Sequence, residues 1–166
     1  MTSPGTLTGM AVVYDSRSRD LGGFTETMQA GCFSRSLAGG NDVLALYNHD
    51  AGNLLGKKSS GTLRLTDTPA GLSFELDLPP TTLGRDVRAL VSRGELQMSF
   101  GFAVPPGGDS WTTRGDSRHR TVSAAQLYEI SVVAMPAYSA TSVKLRSSAR
   151  ERFLALRRWR LASGKI

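Results

Sequence analysis

The chain has 166 residues, of which 40% are apolar, and 20 basic against 14 acidic side chains give a net charge of +6. This length is enough for one domain with its own hydrophobic core, and the single cysteine, Cys32, excludes an internal disulfide. Two histidines leave little basis for a structural zinc site, and because we find neither a secretory signal nor the roughly 18 apolar residues of a membrane span, we expect a soluble intracellular protein.

The first half of the chain predicts short strands separated by turns. Apolar runs at 10–14 and 43–47 favour two buried strands, and the segment 25–37 between them favours a short helix or an irregular loop. Residues 62–66 and 72–78 alternate apolar and polar side chains on either side of a turn that contains Pro and Gly, which predicts a β-hairpin.

The second half contains one predicted helix, about 82–93, and further strands. The apolar residues of this helix recur at helical spacing, with a threonine available as N-cap and Gly94 just past the end. Strand candidates follow at 96–104, in a short strand at Trp111 and, as two strands, within 121–134. In all we expect about seven strands, and therefore a mainly β fold of the α+β class, in which a closed or sandwiched sheet is flanked by helices.

The positive charge lies almost entirely at the C-terminal end. Residues 1–143 carry 12 basic and 13 acidic side chains, whereas residues 144–166 carry 8 basic side chains and only Glu151 as an acid. We therefore predict a near-neutral domain over 1–146 and a basic C-terminal tail over 147–166, helical when another surface covers it. This segregation argues against nucleic acid as a partner of the domain.

Two positions stand out as candidates for chemistry. His49 ends an apolar strand, where catalytic groups are often placed, although an ordinary surface or capping histidine is the commoner alternative. Ser99 shares its strand face with Gly101 and Ala103, so that a substrate backbone could approach its hydroxyl closely. The alternative for Ser99 is a packed strand whose small residues face a helix.

A carboxylate completes the candidate set. Glu129 interrupts an apolar strand, so it must be paired, part of a site, or exposed to solvent together with Ser131. A serine nucleophile needs a base to take its proton, and the base needs a third group to fix its tautomer. Ser99, His49 and Glu129 supply these three roles, whereas His119, between two arginines, is expected in a solvated turn.

Several motifs occur in order along the chain: Leu46-Tyr47-Asn48-His49-Asp50, Leu55-Gly56-Lys57, the hairpin over 63–72, Gly84-Arg85-Asp86-Val87, Met98-Ser99-Phe100-Gly101-Phe102 and the segment 127–138. Together they resemble the tailed-phage prohead proteases, capsid-maturation serine proteases distantly related to herpesvirus assemblin. The resemblance covers about residues 9–146. Lys57 departs from the family's pattern, which has arginine there.

The resemblance implies that Ser99 is the nucleophile, His49 the general base and Glu129 the third member of a catalytic triad. The herpesvirus relatives use a second histidine as the third member, and His119 is the only residue here that could take that part, so both assignments stay open. The implied fold is a β-barrel of about seven strands with flanking helices. The implied chemistry needs no metal and no cofactor.

The implied function is that of a serine endopeptidase acting through an acyl-enzyme. Its substrates would be scaffold segments of the major capsid protein, and its own chain, inside the immature capsid in the host cytoplasm. We expect a homo-oligomer with no membrane association, and a tail that docks on an acidic scaffold or capsid surface. The alternative is a non-catalytic capsid assembly or scaffold-binding domain, and a nucleic-acid-binding module rests on the tail alone.

Overall fold

The computed structural model describes residues 5–146, which form eleven strands and two helices. The elements in chain order are β1 (Thr6–Val13), β2 (Phe24–Met28), α1 (Ser34–Ala38), β3 (Leu44–Tyr47), β4 (Asp50–Lys57), β5 (Leu63–Thr68), β6 (Gly71–Asp77), α2 (Thr82–Ser92), β7 (Gln97–Ala103), β8 (Asp109–Arg114), β9 (Ser117–Val122), β10 (Gln126–Val133) and β11 (Ser142–Leu145). The predicted mainly β, α+β class is confirmed.

The number of strands exceeds the predicted seven because β2, β4 and β11 are short or polar. Strands β2 and β4 lack a sustained apolar run or alternation, and β11 alternates over only four residues. The segment 25–37 illustrates this, since it holds most of β2 as well as the start of the short helix α1. Of the two alternatives predicted for this segment the short helix is the one found, and the strand before it was missed.

The strands form three sheets, with the orders β11-β1-β6-β5, β4-β3-β10-β7 and β2-β9-β8. Strands β3 and β10 are parallel, as are β2 and β9. A closed barrel requires every strand to pair on both sides. Within residues 5–146 the outer strands of each sheet pair on one side only, so the closed seven-stranded barrel is not confirmed.

The apolar face of strand β7 packs into the core. Met98 and Phe100 are buried, and Phe33 meets Phe100 edge-on, with ring centroids 6.0 Å apart. Their neighbours across the sheet, Val132 and Ile130 of β10, are buried as well. Because burial of apolar surface is the main stabilising contribution, this packing fixes which face of β7 and β10 is turned away from the core.

Two predicted elements are confirmed closely. Strands β5 and β6 form the expected hairpin around a two-residue turn, and α2 covers nearly all of the range predicted for the helix. Thr81 caps α2 by accepting a hydrogen bond from the Gly84 N–H at 3.1 Å. Gly94 follows the helix with a left-handed φ of 72°.

The predicted basic tail, 147–166, lies outside the described residues, so its helical conformation and the domain boundary at 146 stay predictions. Within residues 5–146 no helix is long and apolar enough to span a membrane.

Candidate active site

The central strand β10 aligns the candidate residues across its sheet. Ser131 lies directly opposite Ser99 of β7, and Glu129 lies opposite Gly101. Residues directly opposite each other, and residues two apart along a strand, share one face of a sheet. The four residues therefore occupy the face turned away from Met98, Phe100 and their partners in the core.

A bulge in β10 produces this alignment. The pairing passes from Leu127↔Phe102 directly to Glu129↔Gly101, so Tyr128 is an extra residue without a partner, and its side chain is exposed. In a continuous antiparallel register Glu129 would lie opposite Phe100 on the core-facing side. The bulge instead places the carboxylate on the face turned away from the core. Bulges often redirect a side chain in this way.

His49 is held in a tight turn between β3 and β4. Asn48 and His49 both have left-handed backbone angles, with φ of 54° and 59°, as the two central residues of short hairpin turns require. This conformation is uncommon for residues other than glycine, although asparagine and histidine adopt it more often than most. The turn is anchored to β10, because the Asn48 N–H donates to the Val132 carbonyl at 3.0 Å and the His49 N–H donates to the Ser131 hydroxyl at 3.1 Å.

The Glu129 carboxylate uses both of its oxygens. Oε1 lies 2.6 Å from His49 Nδ1, and Oε2 accepts a hydrogen bond from the Ser131 hydroxyl at 2.6 Å. The Glu129 side chain is 13% exposed, whereas that of His49 is 46% exposed. Short bonds to an ionised carboxylate are among the stronger hydrogen bonds in proteins. With its Nδ1–H directed to Glu129, the imidazole keeps Nε2 available to accept a proton.

Space for the carboxylate depends on a glycine. A side-chain carbon added at Gly101 would lie 2.5 Å from Glu129 Oε1, closer than non-bonded atoms approach. The face of small residues predicted for β7 thus has a specific role in the structure. The carboxylate occupies the space that a side chain at Gly101 would fill.

Ser99 is 7% exposed and lies in register with Ser131. Its hydroxyl makes no hydrogen bond within residues 5–146, so the structure joins His49 to Glu129 but leaves Ser99 beside the pair and not bonded to His49. Hydrogen bonds between a nucleophile and its base often tighten only when substrate binds.

His119, the other candidate for the third member of the catalytic triad, lies in a different sheet. His119 belongs to β9, in the β2-β9-β8 sheet and not in the sheet that carries His49, and its Nδ1 is 2.8 Å from the Thr25 hydroxyl. Of the two alternatives that the sequence left open, Glu129 is the one in contact with His49.

Ser131 is the contact that sequence reasoning missed. The sequence allowed it to face solvent together with Glu129, but Ser131 is fully buried. It connects the carboxylate of Glu129 to the backbone of His49. The signal that could have indicated this role is its position two residues after Glu129 in the same strand, which places both side chains on one face.

Cys32 is no alternative nucleophile. Its side chain is 3% exposed, and burial raises the pKa of the thiol to about 12, which keeps it protonated at neutral pH. Within residues 5–146 no group of three or more His, Cys, Asp or Glu side chains is placed to hold a metal ion.

A serine beside a paired histidine and carboxylate, on a mainly β domain, supplies the residue types of a serine hydrolase. Residues 2–155 match the family described as Caudovirus prohead serine protease, and the chain belongs to this family. No curated protein shows significant similarity to the sequence.

The contact between Gly101 and Glu129 yields a direct prediction. Gly101→Ala would displace the carboxylate, so we expect a loss of about 1–3 kcal/mol in the free energy of unfolding, measured by urea titration. We also expect the downfield proton resonance of the His49 Nδ1–H to disappear from the NMR spectrum. Ala103→Ser, which adds one atom to an exposed residue of the same strand, is the control and should change neither quantity. An unchanged resonance in Gly101→Ala would contradict the packing described.

Proposed function

We propose that the protein is a serine endopeptidase in which Ser99 is the nucleophile, His49 the general base and Glu129 the residue that orients it. The observation that carries the proposal is the 2.6 Å contact between His49 Nδ1 and Glu129 Oε1. Membership of a prohead serine protease family supports the same activity.

The proposed reaction has two halves. Ser99 Oγ attacks the scissile carbonyl while its proton passes to His49 Nε2, and the C–N bond then breaks as that proton moves to the leaving amine. In the second half a water gives its proton to Nε2 and attacks the acyl carbon, and the ester bond to Ser99 breaks as the serine regains a proton. Glu129 stabilises the imidazolium in both halves because it accepts the hydrogen bond from Nδ1.

Ser131 acts in this proposal as a positioning residue. Its hydroxyl hydrogen is donated to Glu129 Oε2, which restricts the carboxylate to one orientation. The same oxygen accepts the His49 N–H and so ties the turn that carries the imidazole to β10. One buried side chain therefore fixes the base and its partner relative to each other, and both relative to Ser99 on the neighbouring strand.

The family assigns the protein to capsid maturation and, in general terms, to capsid proteins as partners. We propose more specifically that it cleaves scaffold segments of the major capsid protein, and its own chain, as a homo-oligomer inside the immature capsid in the host cytoplasm. The residues assigned here need neither metal nor cofactor for this chemistry. The basic segment 147–166 is proposed to dock on an acidic scaffold or capsid surface.

Cleavage itself is the first test. The protein is co-expressed with its cognate capsid protein, and fragment masses are followed for the wild type and for Ser99→Ala. We expect defined capsid-protein fragments with the wild type and a loss of at least about a thousandfold in cleavage rate for Ser99→Ala, since the other groups cannot replace the nucleophile.

Ser92→Ala, at an exposed serine of α2, is the matched control and should cleave like the wild type. If wild type and Ser99→Ala gave the same fragments, the protein would not be the protease. Assembly of capsids that depends on the protein while no fragment forms would instead favour the non-catalytic assembly domain.

The role of Ser131 is tested separately. Ser131→Ala removes the donor to Glu129 and the acceptor of the His49 N–H, so we expect kcat to fall by about ten- to a hundredfold with little change in KM. The downfield His49 Nδ1–H resonance should broaden or shift as the carboxylate loses its fixed orientation. A variant whose kcat stays within about twofold of the wild type would show that Ser131 has no positioning role.

A further inference from the structure

A second polar site lies in the β2-β9-β8 sheet, apart from the candidate triad. A pocket of about 260 Å³ opens at the β8–β9 hairpin and is lined by Arg17, Thr112, Arg114, Ser117, Arg118 and His119. We call it the β8–β9 pocket. It belongs to the β2-β9-β8 sheet, whereas His49, Ser99 and Glu129 are associated with the β4-β3-β10-β7 sheet.

Five of the six lining residues lie on the β8–β9 hairpin, and the fold adds Arg17 from a distant part of the chain. Thr112 lies opposite His119, and Arg114 lies opposite Ser117, so these four side chains share one face of the hairpin. Arg17 arrives from the segment after β1, through a bridge to Thr27 of β2. Arg17 is therefore the lining residue that the hairpin itself does not supply.

Every lining side chain can donate a hydrogen bond. The lining residues are three arginines, two residues with hydroxyl groups and one histidine, and no acidic residue is among them. The Thr25 hydroxyl lies 2.8 Å from His119 Nδ1, and when it donates there the imidazole carries its proton on Nε2 as a further donor. Arg118 is additionally held over the Trp111 ring, with its guanidinium carbon 4.7 Å from the ring centroid.

The positive charge of the pocket is not neutralised by the protein. Arg120, the next arginine on β9, pairs with Glu26 at 3.1 Å and with Asp109 at 2.7 Å. Arg17, Arg114 and Arg118 form no ion pair with any carboxylate of residues 5–146, and Asp116 in the hairpin turn does not line the pocket. Arginines that line one pocket without internal partners favour an oxyanion ligand.

We infer that the β8–β9 pocket binds carboxylate side chains of an acidic segment in the substrate protein, away from the bond that is cut. This inference rests on the proposed function, because a protease has a protein chain as its ligand. Phosphates of nucleic acid have similar chemistry, but residues 5–146 carry 14 basic and 13 acidic side chains. A domain with so nearly balanced a charge lacks the broad positive surface that binds nucleic acids.

Equilibrium binding tests the inference without any need for cleavage. The full chain carrying Ser99→Ala is titrated into a short fluorescent peptide rich in Glu, with the corresponding Gln peptide as the neutral probe, and anisotropy is measured at low salt. We expect the Glu peptide to bind more tightly, and Arg17→Gln combined with Arg114→Gln to weaken its binding by about tenfold or more. Arg118→Gln alone, an independent variant at an exposed residue, should weaken it in the same direction.

Charge-matched variants outside the pocket make the result specific. Arg35→Gln combined with Arg88→Gln removes the same charge from exposed residues of α1 and α2 and should leave the affinity unchanged. An equal loss in this control, or equal binding of the Glu and Gln peptides, would overturn the inference. Pocket-dependent binding of a labelled single-stranded oligonucleotide without binding of the Glu peptide would overturn it in favour of nucleic acid.

The outcome is separable from the proposed function. If the Glu peptide does not bind while a short, neutral substrate is still cleaved, the inference about the pocket is wrong and the proposed protease activity stands. Conversely, if the Glu peptide binds at the pocket but the protein cleaves no substrate, the proposed protease activity is wrong and the inferred binding of an acidic segment stands.

Discussion

The constraint on which the site depends is the carboxylate of Glu129, which lies against the sheet with 13% of its side chain exposed. A largely buried carboxylate needs hydrogen-bond donors for its oxygens, because burial without them is costly. His49 and Ser131 supply one donor each, both at 2.6 Å. Satisfying this one group fixes the imidazole, the turn that carries it and the relation of β10 to its neighbours.

Two departures from regular β structure make the arrangement possible. The bulge at Tyr128 turns Glu129 away from the core, and the left-handed turn at His49 brings the imidazole over β10. Each departure carries a local energetic cost, and such costs persist where surrounding contacts compensate for them. Here the compensation comes from hydrogen bonds between the turn and β10 and from apolar packing on the opposite face of the same strands.

The sequence predicts those parts of the fold that depend on nearby residues. The β5–β6 hairpin and helix α2 are signalled by alternation, helical spacing and capping, and both are confirmed. The bulge at Tyr128 gives no such signal, because the same strand would pair in a continuous register unless distant contacts selected the shifted one. The role of Ser131 depends on that register, and the division into three sheets depends on pairing between distant strands. None of these could be predicted from local patterns.

The account's central claim is that the His49–Glu129 pair activates the Ser99 hydroxyl, and reaction with a fluorophosphonate followed by peptide mass mapping tests it most directly. We predict a single adduct, on Ser99, in the native protein, and strongly slowed labelling of that serine in His49→Ala and Glu129→Gln. An adduct on another serine, or labelling of Ser99 as fast in His49→Ala as in the wild type, would contradict the account.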